Sequence, residues 1–444
     1  MTERAPEIIG RADHCVSRKH ISKAALKVLY TLKDAGFQAF LVGGAVRDLL
    51  LGGRPKDFDV GTDADPDQVH KLFRNSRIIG RRFRIVHVRF GREIIEVATF
   101  RASTDPADDS DTQADDEGRL LRDNAFGSID EDVWRRDFTV NALYYNIADF
   151  TVWDYVGGVA DVHDKRLELI GDPARRLRED PVRILRAARF AAKLDFDMEP
   201  SLHEAIAGHK ELLSNIPPAR LFDEFLKMFQ AGYAERSFTK LREFEVFREL
   251  FPDTAASLSG EEGEVFESFI LQALANTDRR VAEHKPITPM FLLGVFLWWP
   301  IQRRAQQYIE DDGVSESQAL GRATYDCLAR QQSLIAIPRR FGAPLREMIT
   351  MQPRFLRKRG GRALGFLEHR RFRAAYDFML LRAAIGEVDQ EIADFWTEVQ
   401  TLDQAARVKA FGLSQKPASS GEDNPRPRRR RRRRRKPSGT SSDG

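Results

Sequence analysis

The stretch GGRPKDFDVGT, residues 52–62, holds Asp57 and Asp59 on either side of Phe58. Residues two apart in a strand share a face, so the two carboxylates project together while Phe58 packs inward. Acids that close repel one another, and one pKa rises unless a cation lies between them. Oxygen donors suit magnesium, which takes one or two carboxylates and completes its shell with substrate phosphates. A solvent-facing edge strand would carry the same pattern, so the neighbouring residues have to decide.

Upstream, FQAFLVGGAVRDLLLG (37–52) reads as a short buried strand, a turn at Gly43-Gly44, and a helix with Val46, Leu49 and Leu50 at helical spacing. Glycines let backbone N–H groups approach a phosphate closely, and a helix start favours negative charge. Arg47, one turn into the helix, could reach an anion held there. The spacing is not that of a P-loop, since no G-x-x-x-x-G-K-[ST] is present. With the acid pair close by, a phosphate-and-metal site becomes the better reading. A third acid would complete a two-metal centre, and two stand out. Glu96 lies in the apolar strand pattern IIEVATF, where an unpaired carboxylate would be costly. Asp137 lies in RRDFTVNAL beside Arg135 and Arg136. Spacing does not choose between them.

Farther along, EDPVRILRAARFAAKL (179–194) reads as a helix with Asp180 as N-cap and Pro181 as its first residue. Arg183, Arg186 and Arg189 follow at steps of three. Asp180 with Arg183 offers an acceptor beside a donor fork, which could pair with a base edge. A solvated basic stripe is the plainer alternative. The nine histidines form no cluster with metal-ligand spacing.

These groups must be positioned by a fold. DFDV begins a second strand, and IVHVRFGREIIEVATF (85–100) reads as a hairpin turning near Gly91. The acidic segment TDPADDSDTQADDEG (104–118) reads as a mobile loop; it lacks the glycine and closing glutamate of a calcium loop. From Pro173 to about Thr401 the pattern is mostly helical. The apolar run MFLLGVFLWW (290–299), bounded by Pro289 and Pro300, is far short of the roughly 20 residues of a membrane helix and reads as a buried helix. The fold class expected is therefore an α/β head followed by an all-α remainder and a disordered basic tail.

The 444 residues suffice for two or three domains with a real core, and 42% apolar content suits a globular protein. Two cysteines, Cys15 and Cys327, supply no disulfide framework. The N-terminus lacks the apolar core of a signal peptide, so a cytoplasmic protein is expected. The formal net charge of +4 includes the unbroken run Arg428–Arg435 and Lys436; without those nine charges it falls to −5. The basicity belongs to a tail fit for an electrostatic RNA contact.

In this order, LVGGAVRDLLLG, DFDVGT, RRDFTVNALYY and EDPVRILRAARFAAKL resemble the bacterial branch of the class II nucleotidyltransferases, which contains tRNA CCA-adding enzymes and bacterial poly(A) polymerases. The resemblance spans roughly residues 37–235. GRRFRIVHVRFGREIIEVATFR, LLRDNAFGSIDEDVWRRDF and IPPARLFDEFLKMFQAGY are similar to the poly(A) polymerase subgroup, as is the arginine-rich terminus. The resemblance implies a polymerase-β-like mixed sheet in the head. It implies that Asp57 and Asp59 bind two magnesium ions, that Asp137 is the third, catalytic aspartate with Glu96 as its rival, and that Gly43, Gly44 and Arg47 hold the ATP triphosphate. Arg136 and Asn141 would lie near ribose or phosphates, and Asp180, Arg183, Arg186 and Arg189 would form the nucleotide-recognition helix. The implied divisions are an N-terminal extension (1–30), a head (31–172), a neck (173–235), an RNA-binding body (236–412) and a tail (413–444). The implied activity is template-independent polyadenylation of RNA 3′ ends, in mRNA processing and decay, with RNA-decay or RNA-chaperone proteins as possible partners. A CCA-adding enzyme and an inactive RNA-binding protein are the alternatives.

Overall fold

A computed structural model describes residues 5–80, 84–102, 112–114, 120–123 and 126–413, without side chains for 112–114 and 120–123. The strands are β1 (Glu7–Ile9), β2 (Ala39–Val42), β3 (Asp59–Thr62), β4 (Ser76–Ile79), β5 (Ile85–Phe90), β6 (Glu93–Thr99), β7 (Thr112–Ala114), β8 (Leu120–Asp123), β9 (Leu143–Asn146), β10 (Val152–Asp154), β11 (Arg166–Leu167) and β12 (Asp197–Met198). Eight of them make one mixed sheet in the order β1-β10-β9-β2-β3-β6-β5-β4. The central strand β2, AFLV, is buried throughout. Ala39 and Leu41 enter one apolar cluster, Phe40 and Val42 a second on the other face. That division follows from the two-residue period of a strand covered on both sides.

Helix α1 (Lys23–Asp34) covers the first face with Ala25, Val28, Leu29 and Leu32, and the Ser22 side chain caps it by accepting from the Ala25 N–H at 3.0 Å. The second face closes more tightly. A Cβ on Gly61 would lie 2.8 Å from a ring atom of Phe100 and 2.9 Å from Val42, so only glycine fits at that point of β3.

The later head and neck helices are α2 (Gly44–Leu50), α3 (Pro66–Leu72), α4 (Ile129–Arg135), α5 (Gly158–Asp164), α6 (Pro173–Glu179), α7 (Val182–Leu194), α8 (Pro200–Ala207) and α9 (Pro218–Phe229). Beyond them the described chain is helical to Ala410. Phe225 and Phe229 of α9, Phe251, and Phe296 of the helix Pro289–Asp312 pack in tilted and edge-to-face pairs with ring centroids 5.0–6.2 Å apart. This joins neck to body through a dry aromatic core.

The hairpin of β5 and β6 turns at Gly91, whose φ of 62° explains the glycine. Three expectations change. The apolar helix is not ended by Pro300 but runs through it to Asp312, because its buried faces hold it on both sides of the missing N–H. Asp180 closes α6 and Pro181 is the residue before α7, so the predicted cap sits one position early; Asp180 Oδ1 still lies 3.4 Å from the Val182 N–H. Leu413 does not open the tail, because it packs against the core with its N–H on the Val408 carbonyl at 3.0 Å. The tail from 414 onward lies outside the described residues. So does the acidic segment 104–118, apart from the backbone of β7, which pairs antiparallel with β8. Among the described residues no helix is long and apolar enough to cross a membrane.

Candidate active site

The acids are set by sheet register. Asp59 opens β3, opposite Val42 in the antiparallel pair with β2 and opposite Glu96 in the parallel pair with β6. Glu96 in turn stands opposite His87, and Val42 opposite Tyr144. Opposed residues share a face, so His87, Glu96, Asp59, Val42 and Tyr144 form one row across the sheet. Asp57 precedes the strand and is exposed, while Phe58 between the two acids is buried.

Solvent reaches Asp59, yet enough protein surrounds it to push its carboxyl up to about 6. Partial burial is the main cause, followed by the charge of Glu96; Arg136 pulls the other way, and Asp57 adds a smaller push. His87 Nε2 lies 3.2 Å from Glu96 Oε1. A divalent cation would relieve the crowding of three carboxylates, and the donor set is all oxygen, which fits magnesium. Among the described residues no three His, Cys, Asp or Glu side chains gather closely enough to hold an ion unaided.

One residue beyond Val42 the chain turns. Gly43 has φ 70° and begins α2, a conformation side-chain-bearing residues adopt at a cost. Two guanidinium groups crowd this turn. A Cβ on Gly43 would lie 3.5 Å from Arg136 Nη1, and one on Gly44 3.2 Å from Arg47 Nη2. Bare backbone therefore leaves room for both guanidinium groups against the turn. Arg47 is 1% exposed. It donates to Asp48 Oδ1 through Nε at 2.9 Å and Nη2 at 2.6 Å, and to Asn141 Oδ1. Arg136 donates to the Tyr144 hydroxyl at 2.6 Å and Asp132 Oδ2 at 3.1 Å. Burial works against the Arg136 charge, but Tyr144 and Asp132 outweigh it and keep the guanidinium protonated.

Asp137 is not beside Asp59 and Glu96 in the sheet row. It precedes the short 3-10 turn Thr139–Asn141, and its Oδ2 accepts from Arg186 Nε at 2.7 Å and from Arg186 Nη2. Its Oδ1 accepts from the Phe138 N–H at 2.8 Å and lies 3.5 Å from Asn141 Nδ2. Burial alone would raise its pKa; the charge and hydrogen bonds of Arg186 prevail and hold the carboxyl below the usual range. A chain of contacts thus runs Arg47–Asn141–Asp137–Arg186, tying the glycine turn to α7.

The other recognition residues are parted along α7. Asp180 is held by both arms of Arg220 from α9, at 2.9 and 2.7 Å. Arg183 donates to the Arg176 carbonyl at 2.6 Å and to Glu179 at 3.2 Å. Arg189 donates to the buried Glu224 at 3.2 Å. The arginine stripe is therefore a ladder with a separate carboxylate at each rung. Phe190 joins its upper rungs, with the guanidinium carbons of Arg47, Arg186 and Arg189 at 5.7, 5.5 and 4.4 Å from its ring centre. Residue spacing did not single out Tyr144, Asp132, Arg220 or Glu224. A buried tyrosine two residues from the turn was the one available signal, since its hydroxyl needs a partner.

Comparison with known proteins identifies relatives of the chain. A family model described as the poly A polymerase head domain matches residues 39–168. Models described as a probable RNA and SrmB-binding site of polymerase A and as the polymerase A arginine-rich C-terminus match 195–258 and 312–436. The chain is similar to poly(A) polymerase I of Salmonella typhi, at 48% identity over 88% of this chain and 85% of that one. It is similar to poly(A) polymerase I of Haemophilus influenzae at 43%, over 88% of both. Similarity to the CCA-adding enzyme of Bacillus subtilis is 38%, over 51% of this chain and 55% of the other. The Bacillus stearothermophilus CCA-adding enzyme in complex with CTP shares the fold, with a TM-score of 0.56 and 24% identity over 89% of each chain.

Proposed function

The chain belongs to the poly(A) polymerase I family, and from that premise we propose that its head adds AMP from ATP to RNA 3′ ends without a template. The 3′-hydroxyl attacks the α-phosphate of ATP in line; a new P–O bond forms, the bond to the β-phosphate bridging oxygen breaks, and pyrophosphate leaves. The observation that carries the reading is the row of Asp59 and Glu96 beside the Gly43-Gly44 turn.

Asp57, Asp59 and Glu96 are the residues that would hold magnesium. Bound there, the metal supplies acidification of the 3′-hydroxyl and neutralisation of the leaving pyrophosphate. The chain's own groups do the rest. Gly43 and Gly44 leave room for the triphosphate, and Arg136 faces it from the side nearer Asp59. Arg47 adds its charge from behind the turn, fixed by Asp48 and Asn141. Asp137 orients α7 by gripping Arg186, which favours Glu96 over Asp137 as the third carboxylate at the metals. Arg183 of α7 and Asp180, at the end of α6, are the groups available to a base edge once Glu179 and Arg220 release them. RNA and ATP meet in the cytoplasm, the compartment this reading assigns.

Incubation with 5′-labelled RNA, magnesium and ATP should give a ladder of extended products, and Asp59→Ala should give none while keeping its circular dichroism and Tm. A variant that extends RNA at near-normal rate would overturn the metal assignment.

A further inference from the structure

A cleft of about 630 Å³ opens in the body, away from the head. The helix Gly263–Ala282, the loop to Thr288, the start of the helix Pro289–Asp312 and the helix Phe372–Ala384 enclose it. Its volume falls within the range of sites that take one organic ligand. The floor is apolar, built from Met290, Phe291 and Leu380. The rim is basic on both sides. Arg279, Arg280 and Lys285 form one edge, and Arg370, Arg371 and Arg373 the other, against Glu283 and Asp377.

The charge of this rim is only partly answered: Arg373 pairs with Asp377 at 2.9 Å and Lys285 with Glu283 at 2.7 Å, and among the described residues the other rim arginines have no carboxylate of their own. Arg280 donates to the Pro286 carbonyl at 2.9 and 3.2 Å, and Arg279 donates to the Asn276 side-chain oxygen; both acceptors are neutral. Arg370 and Arg371 share the single carboxylate of Glu347. The second wall also belongs to a segment of strong bias: Arg339 to Arg373 carries eleven Arg and Lys against the two acids Glu347 and Glu368. Forked guanidinium groups match phosphate oxygens, and an apolar floor accepts the face of a base. A nucleotide brings both parts in one unit, a flat base for the floor and phosphates for the rim.

The cleft is also linked to the recognition helix. Asp278, one residue before Arg279, accepts from the Ala234 and Glu235 N–H groups at 2.7 and 3.1 Å. Tyr233, next in line, donates its hydroxyl to the Lys227 carbonyl of α9 at 3.1 Å, and α9 also carries Glu224, the partner of Arg189. The cleft's wall and the arginine ladder are thus held in one frame.

We propose that this cleft binds single-stranded RNA upstream of the 3′ end, seating a base on Phe291 and Leu380 with its flanking phosphates on Arg279, Arg280 and Arg373. The inference rests on the polymerase reading. It assigns contacts outside residues 195–258, where the RNA-binding family model matches.

The test uses the full chain and two 5′-labelled oligoadenylates, one of about three nucleotides that reaches only the head and one of about fifteen that reaches the body as well. The double substitution Arg279→Gln/Arg280→Gln should weaken binding of the longer RNA about tenfold, and flatten its salt dependence by roughly 0.7 for each phosphate no longer neutralised. Extension of the short primer and the KM for ATP should stay unchanged. Arg373→Gln, on the exposed opposite wall, should act the same way, and RNA carrying a 4-thiouridine upstream should photo-crosslink the wild-type chain within residues 286–292. Unchanged affinity and salt slope for the longer RNA would overturn the proposal, as would crosslinks confined to other segments. Equal losses with both primers, or a raised KM for ATP, would overturn it too by placing the effect in the head. Activity on the short primer reports the polymerase reading separately.

Discussion

Glu96 lies directly opposite Asp59 in the parallel pairing of β3 with β6, so two carboxylates face one another across neighbouring strands. Adjacent strands run roughly 4.8 Å apart. Like charges directly opposite one another destabilise a sheet, a cost that a cation bound between them would offset.

Glu96→Gln should remove one like charge from Asp59 while keeping the strand. Its carboxyl should then titrate below the present value of about 6, and primer extension should fall by about a hundredfold or more. Carbon-detected NMR of the Asp carboxyls and a single-turnover assay read the two effects. An unmoved Asp59 titration would break the link between the pair.

The same pair makes the protein's response to magnesium depend on pH. The folded pKa of Asp59, about 6, lies above its ordinary 3.8. Between those values the native state binds more protons than the unfolded one, so the Asp59 contribution to stability falls as pH rises through that window in the absence of metal. Magnesium competes with the proton. The rise in Tm on adding magnesium should therefore be larger at about pH 7.5 than at about pH 5. Differential scanning fluorimetry measures it, and a pH-independent shift would count against the site.

Asp137→Asn should behave as the loss of an anchor. Arg186 would keep its place with its charge unanswered, at a cost of about 2–3 kcal/mol. Activity should drop together with Tm. For Asp59→Ala the expectation is lost activity with Tm retained. Thermal melts of the two variants side by side would separate these roles; an Asp137→Asn protein of wild-type Tm and no activity would return Asp137 to the catalytic set.

Tyr144→Phe removes the hydroxyl that holds Arg136 at 2.6 Å. The guanidinium would keep Asp132 and the Asn141 carbonyl but lose its shortest hydrogen bond. If Arg136 binds the phosphates as proposed, KM for ATP should rise several-fold, with a smaller change in kcat. Steady-state kinetics on a fixed primer decide it, and an unchanged KM would detach Arg136 from the triphosphate.

Truncation after Leu413 removes the Arg428–Arg435 run without touching the packed residue. RNA affinity should weaken and its salt dependence flatten. The slope of log affinity against log salt is the measurement; an equal slope would assign the run another partner.

Much of the head could be read from local pattern. The Gly43-Gly44 turn, the β5–β6 hairpin and the α7 helix each follow from residues within one element, where periodicity and turn chemistry act. The partner of Asp59 could not be read that way. Glu96 is distant in the chain, and only the order of strands in the sheet makes the two neighbours. Spacing did not choose between Glu96, in an apolar strand pattern, and Asp137, beside Arg135 and Arg136; what separates them is that Arg186, on a different element, answers one and not the other. Arg220 and Glu224 escaped notice for the same reason, being surface-like charges until α9 packs beside α7. Pro300 misled in the opposite direction: local rules end a helix there, and burial carries it through.

The central claim is that this chain extends RNA with adenylate alone and without a template. The most direct measurement presents the full protein with one labelled RNA, magnesium and each of the four nucleoside triphosphates separately. The account predicts long ladders with ATP and little incorporation of the others. Incorporation of CTP, with synthesis halting after three additions in a mixture of CTP and ATP, would contradict it.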